Sequence, residues 1–174
     1  MTTGDTPVVL GEGEGETIQG PAGGPLTFKV RGAQTGGALT AFENVVAPGD
    51  GPPLHTHGRE GESWYVLEGS LRFKLGNDIR SAPTGSFVFV PAGTPHCFQN
   101  IGDTPARILV LFAPAGMEAF FDRFAEIPPG GLDPGVFAAL GRDVGMEVLG
   151  PPLAVSDPLE VHLSSARRAT ARVA

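Results

Sequence analysis

The chain has a single cysteine, Cys97, among 174 residues, so no internal disulfide braces it and any core must hold by packing. It also lacks an apolar run near the roughly 18 residues that a membrane span needs. Met1 to Asp5 carry no positive charge, so the N-terminus signals neither secretion nor anchoring, and a cytoplasmic protein is expected. Basic surplus is missing too. The formal net charge is −7 and no basic stripe relieves it, which argues against nucleic acid or an anionic membrane as a partner.

What the chain has in abundance is turn-forming residues, with 26 glycines and 17 prolines, beside a 41% hydrophobic content. Such a composition approaches that of disordered segments, but alternating apolar runs are plain, and the glycine and proline are better placed in turns between short strands. The length suits one core and is too short for two.

Thr27 to Val30, Leu39 to Phe42, Ser63 to Leu67, Leu71 to Leu75, Phe87 to Val90 and Ala106 to Phe112 read as strands. Gly76 and Asn77 suit a two-residue hairpin turn. Short strands at regular spacing separated by glycine turns indicate an all-β sandwich or barrel. After Pro114 the period changes. Met117, Phe120, Phe121 and Phe124 fall on one helical face, and Asp133 followed by Pro134 predicts a capped second helix ending near Gly145. The phenylalanines of these helices are expected in the core. The predicted divisions are an arm over 1–15, a barrel over 16–114, a helical extension over 115–150 and a tail over 151–174.

Three of the four histidines lie in two spaced signatures. In the first, five residues separate Gly49 from His55, one separates His55 from His57, four separate His57 from Glu62 and six separate Glu62 from Gly69. In the second, Gly85, Pro91, Gly93, His96 and Asn100 follow with gaps of five, one, two and three. On an extended strand His55 and His57 share a face. Glu62 would point away unless the chain turned, and Gly58 and Gly61 supply a loop that returns it to the same interior. Pro91 to Pro95 form a turn that lets His96 open the next strand. Three imidazoles and one carboxylate suit a divalent first-row transition ion, namely iron, manganese, nickel, cobalt, copper or zinc, and leave coordination positions open for chemistry. Glu60 is expected to be an exposed loop carboxylate. Cys97, next to His96 on a strand, should face away from the metal as a small buried hydrophobe.

These two signatures resemble the paired motifs of the cupin family, with no motif position substituted, over about residues 40 to 112. The resemblance implies a double-stranded β-helix, or jelly-roll barrel, followed here by two short C-terminal helices. It implies His55, His57, Glu62 and His96 as ligands, and a homodimer. The helical segment with Leu149 to Pro152 looks like the extension found on many bacterial single-cupin proteins of the quercetin-dioxygenase-like kind. In such relatives the ligating glutamate takes a substrate proton, which makes Glu62 the candidate catalytic base. Strand parity adds Trp64, Val66 and Phe98 as candidates for an apolar substrate pocket. His162, in the predicted tail, has no ligand spacing around it.

Three readings of function stay open. One is a dioxygenase acting on a small apolar or aromatic enol or phenol, with dioxygen as a second substrate. Another is a metal-dependent isomerase, cyclase or lyase that needs no oxygen. The third is a non-catalytic module that binds a small molecule.

Overall fold

The computed structural model describes residues 7–128 and 133–159. Eleven strands occur among them, arranged as two antiparallel sheets that face one another as a jelly roll. The larger sheet contains β1 (Glu16–Gln19), β2 (Pro25–Val30), β3 (Thr40–Val46), β5 (Gly61–Glu68), β8 (Phe87–Val90) and β10 (Ala106–Ala113), in the spatial order β1, β2, β3, β10, β5, β8. The smaller contains β4 (Pro53–His57), β6 (Ser70–Leu75), β7 (Asp78–Pro83), β9 (His96–Asn100) and β11 (Met146–Pro152), in the order β11, β4, β9, β6, β7.

Period-two patterning decides which side chains meet between the sheets. On β10, Ala106, Ile108, Val110 and Phe112 are all buried and alternate with partly exposed neighbours. Opposite them on β5 the inward set is Glu62, Trp64 and Val66. Burying a side chain such as Ile108 or Phe112 contributes about 1.5–3 kcal/mol. Truncating Trp64, the largest fully buried side chain, would cost on the order of 3–5 kcal/mol.

Turns enforce the register. Leu75 pairs with Asp78 across Gly76 and Asn77, and Gly76 has a φ of 60°, which a glycine at the first turn position supplies without strain. Gly69 has a φ of 89°, and a Cβ there would come within 2.8 Å of Ala106 Cβ, so the motif glycine is required twice over. Asn100 closes the second signature as a structural residue. Its amide donates to Val46 O (3.0 Å) and Thr104 O (2.9 Å) and accepts from Gly102 N (2.9 Å), tying the end of β9 to that of β3.

Both predicted helices form. Helix α1 (Glu118–Ala125) buries Phe120, Phe121 and Phe124. Helix α2 (Pro134–Asp143) starts with Pro134 after an Asp133 N-cap whose carboxylate accepts from Val136 N at 2.9 Å. No helix among the described residues is long and apolar enough to cross a membrane.

The C-terminal boundary needs correcting. Residues 146–152, divided in the sequence reading between the helical extension and the tail, form β11, which pairs with β4 and so becomes an edge of the barrel. Gly150, Pro151 and Pro152 resemble a loop in sequence, but register shifts at Val148/Gly150 and Gly150/Pro152 accommodate them, as edge strands permit. A further turn of helix, α3 (Leu153–Ser156), buries Leu153, and Arg72 donates to the Asp157 backbone carbonyl. The expected tail is therefore anchored through Asp157. In the expected arm, Val8, Val9 and Leu10 are exposed and form no strand. His162 lies outside the described residues.

Candidate metal centre

Strand β4 presents His55 and His57 on one face, both buried, and the chain then crosses from the smaller sheet to the larger through Gly58, Arg59 and Glu60. That crossing is why a carboxylate five residues beyond His57 can face it: Glu62 enters from the opposite sheet. His96 opens β9 directly beside His55, its register partner. The turn before it is held by Gly93 N donating to His57 O at 2.8 Å, and Gly93 has a φ of 80°.

The four side chains converge. One ligand atom from each of His55, His57, Glu62 and His96 lies within 4.8 Å of every other. The His55 and His96 ring centroids are 4.5 Å apart, and His57 stands 4.9 Å from the former and 5.3 Å from the latter. Backbone carbonyls select the tautomers. His55 Nδ1–H donates to Pro53 O (2.7 Å) and His96 Nδ1–H to Thr94 O (2.8 Å), which turns each Nε2 towards the centre. His57 and His96 donate from Nε2 to Glu62 Oε2, each at 3.0 Å.

The electrostatics show a site organised around positive charge. Burial pushes His55 down to about 3, and the neighbouring His96 and His57 add to this, so it is a neutral imidazole with a free lone pair. Burial alone would raise the Glu62 carboxyl, but hydrogen bonds from His57 and His96 override it and hold the group at about 2. Burial likewise opposes charge on His96, yet its hydrogen bond to Glu62 prevails and raises its pKa. With acceptors at both ring nitrogens, His96 shares a proton with a carboxylate where a metal cation would provide the same neutralisation. Three nitrogen donors and one oxygen donor, all buried and mutually within reach, fit a mononuclear transition ion.

A cavity of about 60 Å³ adjoins the cluster and is lined by His55, His57 and Glu62 at one part of its wall. It has room for about five waters. Trp64 and Phe98, expected from strand parity, line it. Val66 does not. It is fully buried against the core one pleat beyond Trp64, where Ile108 faces it across the sheet. Sequence reasoning missed Asn44, on β3, and the helical contributions of Phe120, Phe121 and Phe137 to the same wall. Parity on β3 was a usable signal for Asn44 once its register was known. Nothing in the sequence shows how the helices fold back.

Glu60 is the second correction, since it is 1% exposed where an exposed carboxylate was expected. Its Oε1 accepts from Arg59 Nε at 3.0 Å, while Arg59 Nη2 donates to Ala115 O at 2.8 Å, so the inter-sheet loop closes over the acid. It remains outside the ligand group. Cys97 is buried, and burial pushes its thiol up. It faces Lys74 across the strand pair and takes no part in the cluster.

A family model described as a cupin domain matches residues 42–112. The barrel is a cupin domain. An uncharacterised protein of Methanocaldococcus jannaschii is 35% identical over 72 residues, covering 41% of this chain and 58% of that protein. Quercetin 2,3-dioxygenase of Bacillus subtilis is 32% identical over 94 residues, which are 53% of this chain and 27% of the enzyme. The chain thus spans less than two thirds of the length of these relatives. Among solved structures, the polyketide cyclase RemF from Streptomyces resistomycificus superposes with a TM-score of 0.53 at 21% identity, over 62% of this chain and 80% of that one. At that identity the likeness concerns the fold.

Proposed function

We propose that this cupin is a metal-dependent oxygenase that acts on a small, largely apolar enol or phenol. The observation that carries the reading is a buried cluster of three imidazoles and an ionised carboxylate, of which His55, His57 and Glu62 line an apolar cavity. The cavity's size suits a single-ring molecule better than a fused multi-ring one, because typical drug-sized pockets are several times larger.

A redox-capable ion held there would supply Lewis-acid and electron-transfer chemistry towards an enol or phenol and dioxygen. His55, His57 and His96 would hold it, and the Pro53 and Thr94 carbonyls keep two of the rings in the required tautomer. Glu62 Oε2, which His57 and His96 Nε2 approach at 3.0 Å, would turn to the ion together with those nitrogens, while no hydrogen bond to Oε1 occurs among the described residues. Oε1 is thus the atom free to take the substrate's hydroxyl proton as its oxygen becomes anionic. Phe112, which stacks edge-on to His57 at 5.1 Å, and Trp64, 5.5 Å from His96, keep bulk water from the reacting face. The similarity to a quercetin dioxygenase supports this reading over half of the chain. We propose a small molecule and dioxygen as its substrates and a homodimer as its assembly.

Reconstitution of the metal-free protein with iron(II), manganese, cobalt, nickel, copper or zinc, followed by oxygen-electrode assays on enolisable and phenolic aromatics, tests the proposal. Uptake should depend strongly on the ion and be weakest with zinc. An oxygen-independent conversion with zinc alone would replace the oxygenase by a Lewis-acid isomerase, cyclase or lyase. Binding without conversion under every ion would leave a binding module.

A further inference from the structure

The chain contains two buried asparagines of opposite character. Asn100 spends its amide on three backbone bonds, as described above. Asn44 is equally enclosed, at 5% exposure, yet its Oδ1 is buried with no hydrogen-bond partner among the described residues. A desolvated amide oxygen left unpaired is costly, so such an orphan points to a water, ion or ligand that completes it. The neighbouring turn cannot complete it. Gly20 packs against this amide so closely that a Cβ there would lie 3.1 Å from Asn44 Oδ1, and it brings no side chain of its own.

Asn44 also lines the cavity that contains Glu62. Its place relative to the ligands follows from register. Glu62 pairs with Phe112, Trp64 with Val110, and Val66 with Ile108, which in turn pairs with Asn44. Asn44 therefore stands two pleats from the Glu62 row, about 13 Å along the strand direction. The row between them is Trp64, Val110 and Phe42, an apolar wall except for Trp64 Nε1, which is likewise buried without a partner. The interior thus offers an oxygen-binding cluster, an apolar span of about one ring, and then an amide that can donate or accept according to its rotation.

We propose that Asn44 is a substrate-binding residue that recognises a second polar group, and that the substrate is a single-ring, mostly carbon molecule with oxygen functions at opposite ends. One oxygen meets the ligand cluster and the other hydrogen-bonds to the Asn44 amide. The assignment rests on the cluster binding the first oxygen, as in the proposed function, but it is independent of the reaction that follows. A hydroxyl or a carboxamide N–H donates to Oδ1 as it stands and a ketone pairs with the amide nitrogen once the amide is turned over, whereas a methyl or isopropyl group in the same place leaves it unpaired.

Calorimetric titration of the metal-loaded protein under argon separates the two claims, with metal content measured on each sample. The probes are shape-matched phenols: 4-hydroxyacetophenone against 4-isopropylphenol, and 4-hydroxybenzyl alcohol against 4-ethylphenol. The wild type should prefer the polar-ended member of at least one pair by about fivefold or more, since an unmet buried polar group is what discriminates. Asn44→Leu should reduce that preference to within about twofold, leave metal content unchanged, and keep or raise Tm because an unpaired polar group has been removed. Asn44→Ala serves in the same way if the leucine variant does not fold. The proposal is overturned if the wild type binds neither pair or shows no preference, or if the variant keeps the preference. It is also overturned if Tm falls by more than about 5 °C in both Asn44→Leu and Asn44→Ala, which would mean a structural hydrogen bond. A wild type that retains no metal would instead refute the metal centre itself.

Discussion

Glu62→Gln changes one atom of the cluster and nothing of its shape, and the consequence can be worked from the contacts. The carboxylate receives two imidazole hydrogen bonds at 3.0 Å and is held ionised at about 2, against an ordinary value of 4.5. That difference corresponds to roughly 3 kcal/mol. A glutamine oxygen still accepts a hydrogen bond, so the metal-free protein should lose about 2 kcal/mol, or about 4–8 °C in Tm for a chain of this size. The effect on metal should be larger. Changes that only orient a ligand cost 10- to 100-fold in affinity, so removing a charged ligand should cost at least about 100-fold and abolish turnover, an amide being unable to take the proton. Glu60→Gln provides the control, because Glu60 is two residues away and equally buried but bonded to Arg59. It should weaken the loop yet leave metal affinity within about tenfold. Competition titrations with a chromogenic chelator, alongside calorimetry, measure both. Should Glu60→Gln prove the more damaging to metal affinity, the ligand set is wrong.

His96→Ala removes the bonds to Glu62 and Thr94, together about 2 kcal/mol, so Tm should drop several degrees while bound metal falls at least tenfold. Metal analysis and thermal unfolding of the variant decide this: full occupancy would remove His96 from the ligand set, and failure to fold would make its role structural. Acid should destabilise the metal-free protein in two stages. His55, lowered to about 3, resists a proton that the unfolded chain accepts near 6.5, so its contribution is lost as pH falls from about 6.5 to 3; Glu62, lowered to about 2, contributes fully above 4.5 and loses that between 4.5 and 2. His96, raised, acts oppositely, its contribution being full below about 6.5 and declining as pH rises through its folded value. Scanning calorimetry should therefore show Tm falling below about pH 6.5, and a flat Tm between pH 6.5 and 4 would contradict the buried, neutral state of His55.

The convergence of the four side chains was legible in sequence because each step has a local cause. Period-two spacing places His55 with His57, glycines allow the crossing to Glu62, and a proline turn precedes His96. The helices were legible too, from the phenylalanine period and the Asp133 cap. What escaped depended on contacts between distant segments. β11 carries Gly150, Pro151 and Pro152, which have poor strand propensity, and is a strand because β4 offers an open edge. Glu60 looked exposed because a charged residue between glycines usually is, but the loop lies against Ala115 and Gly116, more than fifty residues later. Val66 shares the parity of Trp64, yet parity selects a face and not how far a cavity extends along it. Asn44 belongs to the cavity through the register of β3 with β10, a pairing across more than sixty residues.

Metal stoichiometry of the purified protein, determined by mass spectrometry before and after chelation and reloading, tests the central claim most directly. The four-residue cluster predicts one transition ion per chain in the reloaded protein, lost on chelation and absent when His55, His57, Glu62 and His96 are replaced together. Binding of less than about a tenth of an ion per chain after exposure to every candidate metal, or equal binding by the fourfold variant, would contradict it.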